Sequence, residues 1–201
     1  MKHVNMTRLC YGGSFNPIHH GHLLVARAIA EAGNFDRVVL IPSAQPPHKP
    51  AAADLALPHE RLALCQAVSD ADPLFEASDI ELRRSGPSYT IDTAREFRQS
   101  GWPDVHWLIG ADMLQILPKW HRYEQLLKEV TFWIARRPGY EIDWQTLPPA
   151  VQALRERVVT APLIEMSATQ VRERVRRGQS IKYLVPEVVE RRILDRRLYI
   201  P

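Results

Sequence analysis

Short apolar runs and longer segments with helical spacing alternate along the chain. Runs typical of buried strands fall at residues 9–11, 35–42, 75–82, 105–109, 129–135 and 157–160. Amphipathic helices are predicted at residues 23–30, 57–71, 90–97, from about 167, and at 183–199. This order predicts an α/β fold with a mostly parallel sheet, helices on both faces and strand 75–82 near the sheet's edge.

The pattern also predicts how the chain is divided and which helix faces are buried. A length of 201 residues suits one α/β domain. No linker or repeat interrupts it, so we expect a single domain over residues 1–201 with a C-terminal helical portion at about 165–201. For helix 57–71 the predicted buried face is Leu62, Cys65 and Val68. The last helix, with Pro186 in its first turn, is predicted to bury Leu184, Val188, Ile193 and Leu198.

The stretch between the first strand and the first helix, residues 12–22, reads Gly-Gly-Ser-Phe-Asn-Pro-Ile-His-His-Gly-His. A glycine turn leaves backbone N–H groups accessible, and the helix N-terminus adds a positive dipole end, so the stretch suits phosphate. His19 and His22 are three residues apart, and both imidazoles can donate to one polyphosphate. Taken alone, the pair is also typical of a surface coincidence or of zinc ligands, although zinc would need further ligands.

The complete stretch resembles the opening motif of the nucleotidyltransferase superfamily, whose hallmark is His-x-Gly-His. The superfamily's second motif, Ile-Ser-x-Thr-x-Ile-Arg, is similar to the segment that begins at Ser167, although Glu165-Met166 replaces the usual Ile. The resemblance implies a Rossmann-like nucleotidyltransferase fold in which His19, His22 and Arg172 are catalytic. The ATP-binding residues that it implies are Gly12, Gly13, Ser14, Phe15, His19, His22, Gly110, Asp112, Ser167, Thr169 and Arg172.

Four further blocks narrow the resemblance to bacterial nicotinate mononucleotide adenylyltransferases. They are Pro-Pro-His-Lys at 46–49, Ser-Tyr-Thr-Ile-Asp-Thr at 88–93, Leu-Pro-x-Trp at 117–120 and Arg-Pro-Gly at 137–139. In that family the tryptophan stacks on the nicotinate ring and an adjacent amide takes its carboxylate. The implied mononucleotide contacts are Asn16, Ser43, His48, Lys49, Thr90, Trp120, His121 and Arg137. The resemblance covers roughly residues 9–199.

Several of these residues also have simpler structural interpretations. Thr90, Asp112 and Ser167 each stand where a helix N-cap is expected. Trp120 could fill the core instead of stacking on a ligand, and residues 43–50 could be an irregular surface loop. These alternatives remain open at the level of the sequence.

Composition and charge limit the remaining function classes. The net charge of +3 is mild, and the basic runs at 172–177 and 191–197 have no interleaved aromatic residues, so nucleic-acid binding is not expected. No apolar run reaches the length of a membrane span, and no signal peptide is evident. Two cysteines in apolar runs indicate a reducing compartment, so we expect a cytoplasmic protein.

The resemblance implies that ATP and nicotinate mononucleotide react to give deamido-NAD and pyrophosphate. Mg²⁺ would be bound through the ATP phosphates, with no metal site built from protein ligands. Related enzymes that use nicotinamide mononucleotide, phosphopantetheine, flavin or cytidylyl substrates share the motifs, and a non-catalytic nucleotide sensor could share the fold. Both histidines and Arg172 favour an active enzyme. Class I aminoacyl-tRNA synthetases are disfavoured, because the chain is short and lacks Lys-Met-Ser-Lys-Ser. Formation of homo-oligomers is left open.

Overall fold

The structure, a computed structural model, describes residues 6–47 and 54–200. Its sheet has six strands, all paired in parallel, in the order β3-β2-β1-β4-β5-β6. The strands are β1 (Arg8–Gly13), β2 (Arg37–Pro42), β3 (Phe75–Ala77), β4 (His106–Gly110), β5 (Thr131–Arg136) and β6 (Val158–Thr160). The prediction of a parallel α/β fold is confirmed.

Helices connect these strands. The α-helices are α1 (His20–Gly33), α2 (Pro58–Ala71), α3 (Thr90–Gln99), α4 (Tyr123–Glu129), α5 (Pro149–Gln152), α6 (Ala168–Arg176) and α7 (Glu187–Asp195). Short 3₁₀ segments lie at Ala111–Gln115, Leu117–Lys119, Trp144–Thr146 and Ala153–Arg157. Within the described ranges, no helix combines the length and the apolar character needed to cross a bilayer.

The sheet separates two hydrophobic clusters. Successive residues of a strand point to opposite faces, so Leu9 belongs to one cluster and Cys10 to the other. The first cluster includes buried side chains of α1, α2, α6 and α7, and the second includes those of α3 and α4. Helices therefore cover both faces, as predicted.

The strand order reverses at β1, which pairs with β2 on one side and β4 on the other. The chain leaves β1 and β4 toward opposite faces of the sheet, and a crevice opens beyond their carboxyl ends. Such a crevice is where open parallel sheets bind ligands.

Two predicted details of β3 and α2 are wrong. Strand β3 is the edge strand but ends at Ala77, because the chain turns from Asp79, whose carbonyl accepts the Leu82 N–H at 2.8 Å. On α2 the buried face includes Leu64 and not Leu62, which is only half-buried. The correct positions follow the helical spacing i, i+3, i+4, i+7 counted from residue 61.

The C-terminal helix α7 packs on α2, and the prediction of its buried face is confirmed at Ile193. Pro186 is the N-cap rather than part of the first turn, and Val189 and Ile193 are the buried residues. The predicted Leu184, Val188 and Leu198 are partly buried and pack against the same cluster. The buried Glu60 carboxylate on α2 faces Arg192 at 3.8 Å and Arg196 at 3.4 Å. These ion pairs join the end of α7 to α2.

Candidate active site

A cleft of about 820 Å³ lies at the carboxyl ends of β1 and β4. Segments from the first strand to α6 line it, although they are distant in sequence. Every predicted site residue in the described ranges borders this cleft: Gly12, Gly13, Ser14, Phe15, Asn16, His19, His22, Ser43, Thr90, Gly110, Asp112, Trp120, His121, Arg137, Ser167, Thr169 and Arg172. The predicted contacts His48 and Lys49 lie outside the described residues.

The two histidines stand side by side at the start of α1. His19 is the N-cap and His22 the third helical residue, and their ring centroids are 3.7 Å apart. The backbone N–H of His19 donates to Nδ1 of His22 at 3.3 Å. Since a ring nitrogen that accepts a hydrogen bond carries no proton, the neutral His22 ring carries its proton on Nε2. That N–H is the donor that His22 can offer to a ligand in the cleft.

The glycine between the histidines allows this arrangement. A Cβ on Gly21 would lie 2.9 Å from Nδ1 of His19, closer than van der Waals contact permits. Any larger residue would therefore push the His19 ring out of its position beside His22. The requirement for glycine here comes from the close approach of a side chain and not from the backbone conformation.

His19 is held neutral by its surroundings. Burial, and to a smaller extent the charge of His20, lowers the pKa of His19 to about 4. At neutral pH His19 therefore adds no positive charge beside His22. The two rings can approach each other without like-charge repulsion and remain hydrogen-bond donors.

Acidification is expected to destabilise the fold through His19. Its folded pKa is lower than its unfolded pKa, so its contribution to stability is complete above about pH 6.5 and is lost as the pH falls toward 4. From pH 7 to pH 5 the free energy of unfolding should fall by about 1 to 2 kcal/mol more in the wild type than in His19→Gln. Urea denaturation at both pH values measures this difference. Equal losses in the two proteins would contradict the burial of a neutral His19.

An aromatic cluster supports His22 from the side of β1. Phe15 is buried and makes T-shaped ring contacts with Tyr11 and His22. The centroid-to-centroid distances are 5.5 Å to Tyr11 and 5.3 Å to His22. Its φ of 42° lies in the left-handed region, which is costly for a non-glycine residue. The Ser43 N–H donates to the Gly13 carbonyl at 2.9 Å and fixes the start of this turn. Packing and hydrogen bonding thus hold a strained turn that carries the His22 ring.

Arg172 reaches the same turn from α6. Its Nε donates to the Asp54 carboxylate at 2.8 Å and its Nη1 to the Asn16 carbonyl at 2.8 Å. Arg176 also donates to Asp54 at 2.8 Å, and these two hydrogen bonds hold the pKa of Asp54 below its usual range. Because Asn16 lies three residues before His19, the guanidinium and both imidazoles border one region of the cleft.

The start of α6 is capped by its own side chains. Ser167 Oγ accepts the Gln170 N–H at 3.2 Å, and Gln170 Oε1 accepts the Ser167 N–H at 2.9 Å. The capping interpretation of Ser167 is therefore confirmed, and its contact with phosphate stays a prediction. Ala168 and Thr169 line the cleft, and first-turn N–H groups of a helix have no intrahelical partners. They are suited to an anion.

Two other expected caps are wrong. The N-cap of α3 is Tyr89 rather than Thr90, and Gly110 rather than Asp112 precedes the first 3₁₀ segment. The Asp112 carboxylate folds back over Gly110, where any Cβ would overlap it. Thr90 and Asp112 are thus left on the cleft wall without a capping role.

The opposite end of the cleft is aromatic. Tyr89 and His121 stack with ring centroids 4.2 Å apart and planes 22° apart. Trp120 is half-buried, lies edge-on to Phe132 at 6.3 Å and also lines the cleft. The core-packing and ligand-facing interpretations of Trp120 are therefore compatible. This end of the cleft can therefore bind a ligand with a flat aromatic ring through Trp120 and a polar substituent on that ring through Thr90 or His121.

Sequence reasoning missed the buried polar residues that support the cleft. Ser88 Oγ accepts the N–H groups of Ala44 at 3.0 Å and Gln45 at 3.3 Å, which ties the segment after β2 to α3. Glu81 accepts the Thr93 hydroxyl at 2.8 Å, and burial raises the pKa of this glutamate. Nothing in the apolar pattern separates these residues from polar residues on the surface.

Arg61 was also missed, although a signal for it exists. It is completely buried on α2, at the first position of the spacing that continues through Leu64, Cys65 and Val68. A charged residue in phase with an apolar helix face indicates a buried hydrogen-bonding role.

Comparison with known proteins agrees with this geometry. Residues 10–174 match the family described as cytidylyltransferase-like. A Thermomicrobium roseum protein named a probable nicotinate-nucleotide adenylyltransferase is 40% identical over 198 residues, covering 96% of this chain and 92% of its own length. A Geobacillus kaustophilus protein of the same name is 38% identical over 190 residues, covering 94% of this chain and 84% of its own length.

A solved structure shares the fold. The nicotinic acid mononucleotide adenylyltransferase of Plasmodium falciparum, complexed with NaAD, superposes with a TM-score of 0.74. The match covers 96% of this chain and 97% of that one at 18% sequence identity. The similarity extends over the whole α/β architecture.

Proposed function

This chain belongs to the nicotinate-nucleotide adenylyltransferase family, and we propose that it transfers the adenylyl group of ATP to nicotinate mononucleotide. The products are deamido-NAD, an intermediate of NAD biosynthesis, and pyrophosphate. The observation that carries the proposal is that His19, His22 and Arg172 border one cleft at the switch point of a parallel sheet. The relatives' names and the order of the sequence motifs support the choice of substrates.

The proposed reaction is a direct phosphoryl substitution. An oxygen of the mononucleotide 5′-phosphate attacks the α-phosphorus of ATP, a new P–O bond forms, and the bond from the α-phosphorus to the bridging oxygen breaks. Pyrophosphate leaves with that oxygen. The attacking phosphate is already an anion, so no protein nucleophile is required, and catalysis consists of positioning and charge stabilisation.

Each end of the triphosphate has a partner in this scheme. The Nε2–H of His22 and the neutral His19 ring donate to the α-phosphate oxygens, where negative charge builds up in the transition state. Arg172, Thr169 and Ser167 hold the β- and γ-phosphates at the start of α6. Arg172 must then exchange part of its contact with Asp54 for contact with phosphate.

Mg²⁺ is part of the proposal as a companion of ATP. In the described ranges, no group of three or more His, Cys, Asp or Glu side chains is arranged to hold a metal ion. Mg²⁺ commonly keeps several waters and binds through substrate phosphates, so we assign it to the triphosphate oxygens. When bound there it would neutralise phosphate charge.

The aromatic end of the cleft suits nicotinate. We assign Trp120 to stacking on the pyridine ring, with Thr90 and the backbone of His121 near its carboxylate. Arg137 is exposed at the end of β5 and adds positive charge toward the anionic mononucleotide. Asn16 and Ser43 complete the proposed contacts from the β1 and β2 sides, and His48 and Lys49 remain predicted contacts. We also propose a cytoplasmic location, which the two buried cysteines without a disulfide support.

The test is a comparison of acceptors. Pyrophosphate release from ATP should be fastest with nicotinate mononucleotide, at least tenfold faster in kcat/KM than with nicotinamide mononucleotide, because the site offers donors for a carboxylate. Phosphopantetheine should give no release. A preference for the amide or for phosphopantetheine would contradict the substrate assignment. ATP binding without pyrophosphate release from any acceptor would indicate a nucleotide sensor.

A further inference from the structure

A guanidinium lies beneath the cleft without lining it. Arg61 on α2 is completely buried, and its three hydrogen-bond acceptors are all neutral backbone carbonyl oxygens. Its Nε donates to Ala56 at 2.9 Å, Nη1 to Ser14 at 2.8 Å and Nη2 to Ser43 at 2.7 Å. Burying a positive charge costs free energy that neutral acceptors offset only in part. This cost suggests a role beyond packing.

The three carbonyls belong to three separate segments of the cleft wall. Ser14 lies in the turn that leads to the two histidines, Ser43 follows β2, and Ala56 precedes α2. Asn16 connects two of these segments independently, because its side chain donates to the Asp54 carbonyl and accepts the Ala56 N–H, both at 3.0 Å. One planar guanidinium therefore fixes the relative positions of three segments.

Arg172 is bound to the same segments from above. Besides the Thr169 hydroxyl on its own helix, its acceptors are the Asn16 carbonyl, two residues after Ser14, and the Asp54 carboxylate, two residues before Ala56. Arg61 therefore ties together the turn at Ser14 and the segment at Ala56. These are the segments that set the positions of the histidines and of Arg172.

We propose that Arg61 is a positioning residue, which acts through these three carbonyls to align the histidines and Arg172 on one triphosphate. The proposal rests on the proposed adenylyl transfer. A displacement of about 1 Å at the reacting groups can cost about 10²-fold in rate, whereas ground-state binding is spread over the whole cleft. The role requires a rigid fork, since a lysine ammonium is a point charge that cannot reach three carbonyls in this geometry.

The test uses Arg61→Lys, which keeps the charge, and Arg61→Gln, which keeps one amide donor without the cost of a buried charge. In both, kcat for pyrophosphate release should fall at least tenfold, while the dissociation constant for ATP changes less than threefold. The matched control is Arg192→Lys. Arg192 lies on α7 and faces Glu60, the neighbour of Arg61 on α2, and it does not line the cleft. This substitution should leave kcat unchanged. Circular dichroism confirms that each protein is folded at the assay temperature.

The outcomes separate this proposal from the function itself. If the wild type transfers no adenylyl group, the proposed function has failed. If the wild type is active and a folded Arg61 variant keeps kcat within twofold, the positioning role is refuted. A parallel loss of ATP affinity and kcat, or unfolding of both variants where Arg192→Lys is folded, would show a purely structural role and also overturn the proposal.

Discussion

Replacing His22 with alanine should lower kcat by about 10²-fold or more, while the KM for ATP changes only a few fold. The His22 Nε2–H is assigned to α-phosphate charge that develops in the transition state, and loss of one such donor typically has this cost. The backbone hydrogen bond from His19 to Nδ1 fixes Nε2 as the His22 ring nitrogen that donates. Steady-state kinetics of pyrophosphate release measure the effect.

The control is His20→Ala. It removes a neighbouring imidazole that lies outside the cleft lining, and its backbone N–H can still donate to the Leu184 carbonyl. The control should keep nearly normal kcat, and both variants should unfold cooperatively near the wild-type temperature. A folded His22→Ala protein with kcat within threefold of the wild type would contradict the catalytic assignment.

Arg172→Ala is expected to affect both binding and turnover. The KM for ATP should rise and kcat/KM for ATP should fall by about 10²-fold or more, because a charge-assisted contact with the leaving pyrophosphate is lost. The substitution also releases Asp54 and the Asn16 carbonyl, so the turn before His19 loses an anchor. Kinetics at varied ATP and saturating mononucleotide separate these effects from acceptor binding.

Arg174→Ala is the charge-matched comparison. It lies on the same helix, is exposed, and donates to the Ser180 carbonyl instead of to a residue of the cleft. Both variants lose one positive charge, so general attraction of ATP to the protein changes equally. Equal effects of the two substitutions would show that Arg172 acts only through net charge, which would contradict a direct contact with phosphate.

The alternation of apolar runs and amphipathic segments was sufficient to predict the parallel α/β fold. A helix buried on one face repeats its apolar residues every three or four positions. A strand buried on both faces, such as β2, is a short continuous apolar run. Boundaries were less predictable. The end of β3 at Ala77 depends on a turn at Asp79, which is set by local backbone hydrogen bonds and not by the apolar pattern.

The cleft residues could be identified from their motifs, but the contacts of the residues that hold them in place could not. Glycine turns and helix starts carry local signals, so the region around His19 and that around Arg172 could be recognised separately. Arg61 and Ser88 bind backbone groups 5 to 47 residues away in the sequence, and the Asp54 carboxylate accepts from the Arg172 guanidinium, 118 residues away. The helical spacing marks Arg61 itself as buried, but the apolar pattern does not reveal which distant groups it or the other supporting residues bind.

The most direct test of the central claim is an experimental structure with a non-hydrolysable ATP analogue, methylene-bridged between the α- and β-phosphates, and Mg²⁺. The α-phosphate should lie about 3 Å from Nε2 of His22. The β- and γ-phosphates should contact Arg172 and the first turn of α6. A triphosphate bound elsewhere, or one that contacts the histidines while Arg172 points away from it, would contradict the account.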